Sequence, residues 1–171
     1  MKTGWKPALK RLKQLLSDGE VILDPAVCAK YAGDKWFAAH QPDAVVLPRC
    51  SGSVSAVAAF AHRHRIPLTP RGAAHGYVGG CVPVQGGIVL SLERMKRIKE
   101  INGRDFVAVT EPGVFTADLQ KKAEKKGLYY PPDPASRSEC SIGGNIATNA
   151  GGPRCLKYGV TRDYVLGLEV V

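Results

Sequence analysis

Leucines recur at Leu9, Leu12, Leu15 and Leu16, with Lys10, Arg11, Lys13 and Gln14 between them. Steps of three and four residues put them on one face, so the spacing predicts an amphipathic helix, closed by Asp18-Gly19. Asp24 before Pro25 predicts the cap and first position of a second helix. After Pro42 the pattern changes. Residues 44–47 are a short apolar run with two valines, the mark of a buried strand. Residues 51–65 carry an apolar face at Val54, Val57, Ala58 and Ala61, a helix that Ser51 or Ser53 would cap. Residues 66–69 predict the next strand. Strand, helix, strand is the order of a parallel pair joined by a crossover.

A glycine-rich stretch follows, with Gly72, Gly76, Gly79, Gly80, Gly86 and Gly87. Residues 88–92 and 106–110 predict two further strands, the second with clear alternation. Glu111-Pro112-Gly113 predicts a turn. Thr116 would cap a helix running to about Lys126, stopped by Gly127. Residues 129–136 form a proline-rich loop, and residues 142–148 predict one or two helical turns between glycine pairs. Residues 164–171 read as a strand-like apolar run. Domain ends are usually polar and frayed, so an apolar ending carries the expectation that the chain is the front part of something longer. There is no internal repeat.

At 171 residues, 44% hydrophobic and 23% charged, the chain is of the globular class and long enough to bury a core without staples. No run reaches the length of a membrane span. The basic N-terminus lacks the long apolar stretch and small-residue cleavage site of a secretory signal. The net charge of +9 raises the question of nucleic acid. Aromatic residues are only 7% of the chain and none lies in the basic runs, so stacking platforms are missing and no nucleic acid is expected. An anionic cofactor or acidic substrate suits the charge equally well. Cys28, Cys50, Cys81, Cys140 and Cys155 are odd in number and widely spaced, with no C-x-x-C pair. They read as reduced thiols of a cytosolic protein, with no metal site.

Two segments hold the candidate chemistry. One runs Pro70-Arg71-Gly72-Ala73-Ala74-His75-Gly76-Tyr77-Val78-Gly79-Gly80, directly after a predicted strand. The other runs Gly143-Gly144-Asn145-Ile146-Ala147-Thr148-Asn149-Ala150-Gly151-Gly152. Glycines let main-chain N–H groups approach a ligand, and consecutive N–H groups form a concave anion site suited to a diphosphate. Neither segment is a G-x-G-x-x-G helix opening or a P-loop, so the common nucleotide fingerprints are disfavoured. Asn145, Thr148 and Asn149 add amides and a hydroxyl able to pair with a ring edge such as a flavin pyrimidine. No nucleophile elbow and no evident carboxylate pair accompany them, which points to a cofactor that carries the chemistry itself.

Taken with GIVLSLER (residues 87–94), EPGV (111–114), PPDPAS (131–136) and the final thirty residues, these segments resemble the FAD-linked oxidases of the p-cresol methylhydroxylase and vanillyl-alcohol oxidase fold. Within that family they resemble the flavoproteins of the D-lactate dehydrogenase and glycolate oxidase group, over roughly residues 40–171. The resemblance implies an α+β fold: a two-subdomain p-cresol methylhydroxylase-type FAD domain, truncated within its second subdomain. It implies residues 1–40 as an N-terminal helical segment and 41–171 as the FAD-binding domain, the substrate cap being absent. Arg71, Gly72, Ala73, Ala74, His75, Gly76, Gly79 and Gly80 would surround the FAD diphosphate. Pro132, Asp133, Ser136, Gly143, Gly144, Asn145, Thr148 and Asn149 would line the cofactor, with Gly151, Gly152, Tyr158 and Gly159 completing that wall and Glu111 and Pro112 at the cleft edge. The implied reaction is hydride transfer from C2 of a 2-hydroxy acid to flavin, with electrons passing to an iron–sulfur, cytochrome or quinone partner. The implied location is cytoplasmic, peripheral to the membrane if a partner subunit holds it there.

Three positions of the first loop depart from the family pattern: Ala74, His75, and Val78 in place of a serine. Ala74 stands where the family usually has glycine, and its methyl falls where main chain should approach phosphate. His75 replaces a threonine; relatives in the wider fold carry a loop histidine bonded covalently to the flavin, while a plain polar contact is the simpler expectation here. Substrate-binding and base residues belong to the cap, so no catalytic residue is assigned and this portion alone is expected to be inactive. The competing readings are a non-catalytic nucleotide-binding module, one chain of a split flavoprotein, and a basic RNA-binding protein supported by charge alone.

Overall fold

The computed structural model describes residues 4–171; the first three residues of the predicted N-terminal segment lie outside the described residues. The chain divides into two compact units, one built from the chain up to Arg94 and one from residues 95–170. The architecture is α+β, as expected.

The first unit holds α1 (Lys6–Leu15), β1 (Val21–Ile22), α2 (Pro25–Cys28), β2 (Ala44–Val46), α3 (Ser51–His64), β3 (Leu68–Arg71) and β4 (Ile88–Ser91). Its sheet runs in the order β1-β2-β4-β3; β4 is parallel to both β2 and β3, and β1 is antiparallel to β2. The predicted strand–helix–strand unit is therefore parallel, but β2 and β3 are not neighbours, because β4 lies between them. All four residues of β4 are buried, as a strand covered on both faces requires. Alternation sorts the side chains. Ala44, Val46, Ile88 and Leu90 pack with Leu9 and Leu12 of α1 and with Val57, Phe60 and Ala61 of α3. Val45, Leu47 and Val89 point the other way, onto Cys28.

Glu20, 1% exposed, fastens the turn beneath this sheet. Its carboxylate accepts from the N–H groups of Ser17 (3.1 Å) and Arg49 (2.9 Å) and from Ser53 Oγ (3.2 Å). That bond corrects the predicted cap: neither Ser51 nor Ser53 caps α3, whose N-cap is Cys50. Asp24 does cap α2, accepting from Ala26 N.

The second unit pairs β5 (Ile98–Asn102) antiparallel with β6 (Val107–Thr110) and packs them with α4 (Thr116–Glu124) and α5 (Ile142–Thr148) around Val114, Leu119 and Ile142. A short α6 (Cys155–Tyr158) follows. Three expectations need correction. Phe106 is not in a strand; it sits at φ +57 in the hairpin turn, and the strand starts at Val107. The N-cap of α4 is Phe115, because the Thr116 hydroxyl is turned inward onto Asn145 and Cys140. Residues 165–171 form no strand: the run finds no ladder among the described residues, and Leu166 and Val170 are each 80% exposed.

Candidate functional site

The first glycine-rich segment leaves the C-terminal end of β3. Its entry is set by Arg71, whose Nη1 donates to Gly33 O and lies 3.8 Å from Cys81 Sγ, with the guanidinium 5.4 Å from the Tyr31 ring centroid. Tyr31 in turn donates to Glu93 Oε1 (3.1 Å), and Ser91 Oγ donates to Glu93 Oε2 (2.9 Å). Burial first, and the Glu93 carboxylate next, push the Tyr31 hydroxyl above its ordinary pKa, which keeps it a donor. His75 Nδ1 lies 3.1 Å from Ala73 O, a bond made when Nδ1 carries the proton. Ala74 adopts φ +57. This is the left-handed region in which glycine is at ease, so the sequence substitution is matched by a backbone that kept the glycine conformation.

The other predicted residues lie in the second unit, where main-chain contacts draw several of their segments together. Gly143 N donates to Pro112 O (2.8 Å), and a Cβ on Gly143 would meet Pro112 Cβ at 2.7 Å. Gly152, at φ +139, approaches so closely that a Cβ there would stand 2.0 Å from Asp133 O. The cleft-edge turn, the proline-rich loop and the α5 segment therefore form one continuous wall. Asp133 is pinned by Arg137 (2.7 Å) and Arg154 (3.4 Å). Arg154 also donates to the Tyr129 hydroxyl, and Tyr129 stacks edgewise on Tyr158. Ser136 O accepts from Glu139 N and Cys140 N, which closes the turn after the prolines.

The polar side chains of this wall also serve its structure. Asn145 is buried and donates from Nδ2 to Thr116 Oγ1 (2.6 Å). Thr148 Oγ1 donates to Gly144 O, and Asn149 Oδ1, on a left-handed residue that ends α5, accepts from Arg162 N. Gly144 N donates to Ser141 Oγ. Gly159 sits at φ +82 against Asp163.

Glu111 is buried, and its carboxylate is committed to Arg97. It accepts from Arg97 N and Nε (both 2.8 Å), with Nη2 at 2.7 Å. Burial pushes the carboxyl up, but the Arg97 hydrogen bonds and charge outweigh it and hold the pKa below the ordinary value.

Several residues of the wall escaped the sequence reading. Gln120 donates to Pro132 O (2.9 Å) and fixes the proline loop from α4. Thr161, fully buried, gives its hydroxyl and its N–H to Ala150 O. Their polar character on otherwise apolar faces is the only signal the sequence offers. The five cysteines are free thiols.

The N–H groups of Gly76, Gly79 and Gly80 donate to no acceptor among the described residues, and a Cβ at Gly76 or Gly80 would meet nothing closer than 3.8 Å. Uncommitted main-chain donors close together in a loop suit a diphosphate. A fold of this kind with such loops defines a nucleotide-cofactor protein. Residues 42–171 match the family described as FAD binding domain, and the chain belongs to it; its cofactor is FAD. The chain is 49% identical over 130 residues to glycolate oxidase subunit GlcD of Bacillus subtilis (strain 168), covering 76% of this chain and 28% of that protein. It is 44% identical over 168 residues to D-2-hydroxyglutarate dehydrogenase of Stutzerimonas stutzeri (strain A1501), covering 96% and 36%. It thus spans about a third of these relatives or less. Among solved structures, alkyldihydroxyacetonephosphate synthase superposes with a TM-score of 0.84 at 22% identity, over 94% of this chain and 32% of that one. Substrate-bound p-cresol methylhydroxylase superposes with 0.74 at 23%, over 88% and 30%. The fold is that of the p-cresol methylhydroxylase-type flavoproteins, as the resemblance implied.

Proposed function

We propose that this chain is the FAD-binding portion of a flavin-dependent 2-hydroxy-acid dehydrogenase or oxidase of the D-lactate or glycolate type. The observation that carries the reading is the second unit's wall, in which Pro112, Asp133 and the Gly143–Gly152 stretch are joined by contacts that tolerate no side chain. Bound FAD would supply the chemistry, accepting a hydride from C2 of the substrate, which leaves as a 2-oxo acid. The chain's own residues bind and orient. Amides of residues 72–80 hold the diphosphate, and Pro132, Asp133, Ser136 and residues 143–152 line the cofactor, with Tyr158 and Gly159 beyond. Glu111 supports the wall through Arg97. Residues 41–171 form the FAD-binding domain in this reading, behind an N-terminal helical segment. The 2-hydroxy acid is held by sequence outside these residues, and an iron–sulfur, cytochrome or quinone partner takes the electrons. The enzyme works in the cytoplasm, reaching a membrane through its partner; among the described residues no helix is long and apolar enough to cross one.

The test is the visible absorption spectrum of the purified chain after incubation with FAD and gel filtration. Flavin bands eluting with the protein support the reading, and a colourless chain that micromolar FAD cannot saturate overturns it. The same sample is expected not to reduce a dye with D-lactate or glycolate.

A further inference from the structure

The segment from Tyr31 to Trp36 lies before residue 42, where the family match begins, yet it touches the first glycine-rich segment at its entry, its middle and its exit. At the entry, Arg71 stacks on Tyr31 and donates to Gly33 O. In the middle, Lys35 N donates to Gly76 O (3.1 Å). At the exit, the Trp36 ring lies where a Gly79 Cβ would fall, 2.7 Å from Cε3, and Asp34 Oδ2 lies 4.0 Å from Cys81 Sγ. Asp34 also accepts from Trp36 N (2.8 Å), which shapes the strap itself. Glu93, two residues past β4, receives the Tyr31 hydroxyl and so anchors the strap to the end of that strand.

A loop whose amides must face a ligand cannot bond those amides to the protein, so its shape has to be held by other atoms. Here the carbonyl of Gly76, the side chain of Arg71 and the missing side chain of Gly79 are the handles. We propose that residues 31–36 are a positioning strap for the cofactor loop, with the Arg71 guanidinium as its clasp. The proposal rests on the FAD reading and adds to it that Arg71 acts on the diphosphate indirectly. Its planar group is turned toward Tyr31 and Gly33, an arrangement a lysine cannot reproduce. Tyr31, Asp34, Lys35 and Trp36 are positioning residues.

The test compares Tyr31→Ala, Tyr31→Phe and Arg71→Lys with the wild type, all in the full chain. FAD, ADP and riboflavin are the probes, titrated separately. Trypsin cleavage at the Lys35–Trp36 bond reads strap release, and Tm reads global damage. Tyr31→Ala and Arg71→Lys are expected to speed cleavage and weaken FAD and ADP by about tenfold, or about 1.4 kcal/mol. Riboflavin, which has no diphosphate, should be unaffected, and Tyr31→Phe, which keeps the ring under Arg71 but loses the bond to Glu93, should fall between the wild type and Tyr31→Ala. Faster cleavage with unchanged FAD affinity overturns the proposal. So does a parallel loss of all three ligands with a lowered Tm, which is the signature of a general folding defect. A wild-type chain that binds neither FAD nor ADP overturns the functional reading and the strap with it, and is told apart because the wild type itself fails.

Discussion

Ala74→Gly is the sharpest probe of the first loop. Ala74 sits half-buried at φ +57. Holding an L-residue in the left-handed region costs about 1–2 kcal/mol. Removing the methyl also frees the unfolded chain, which works the other way by about 0.4–1 kcal/mol. The difference favours the glycine variant by roughly 0.5–1 kcal/mol, a rise in Tm of roughly 1–4 °C for a chain of this size. The assay is urea unfolding followed by tryptophan fluorescence. Trp5 and Trp36 are the chain's two tryptophans and both lie in the first unit, so the signal reports that unit alone. Ala74→Val is the control, because a β-branched side chain fits this region worse still and should lower the midpoint. If the glycine variant is less stable than the wild type while the valine variant is unchanged, the left-handed conformation is not there and the reasoning fails. FAD affinity should rise in the glycine variant, since the same methyl borders the amides of the loop.

Three further outcomes are expected. Arg97→Ala should destabilise by about 1–2 kcal/mol, because it takes the guanidinium from the buried Glu111 carboxylate and leaves it only the main-chain N–H of residue 97. The Glu111 pKa is depressed in the fold, so its contribution is full above the ordinary glutamate value and is lost as pH falls through the folded value. The gap between the wild-type and variant urea midpoints should therefore narrow as the pH falls from neutral to acidic. Gly152→Ala should destabilise by at least about 3 kcal/mol, since the new methyl meets Asp133 O with no flexible atom to yield; a variant with an unchanged melting curve would remove the wall described above. Acid precipitation of flavin-loaded protein should release all of its flavin to the supernatant, as a plain polar role for His75 requires; yellow colour retained in the pellet would establish a covalent bond instead.

Much of this was legible in the sequence because it depends on periodicity. α1, β2, α3, β4, α4 and α5 all follow the apolar spacing to within a few residues. What spacing could not supply was order. The strand through Pro70 lies further along than residues 66–69 suggest because β3 is an edge strand, where a residue with no N–H costs no ladder bond. β5 went unseen because Ile98–Asn102 alternates apolar with Lys99 and Glu100 only briefly and carries no turn signal before it. Caps were misjudged at α3 and α4 for one reason: Ser53 and Thr116 had stronger partners in Glu20 and Asn145, which are far away in the chain. The glycine segments announced themselves, since few other roles need so many missing side chains. Their supports did not. Tyr31, Lys35 and Gln120 are ordinary surface residue types until the fold lays them against a loop.

The position of β4 has a consequence for biosynthesis. As the nascent chain leaves the ribosome, β2 can pair on one side with the short β1 before it, but its other edge and the pairing edge of β3 have no seam to share, because both bond to β4, which follows them. Until residue 91 is clear of the exit tunnel, their open edges are available to other polypeptides. The parallel part of the first unit's sheet therefore closes in one late event, when β4 inserts between β2 and β3. Chaperone capture of ribosome-bound intermediates should peak just before that length and fall away sharply beyond it.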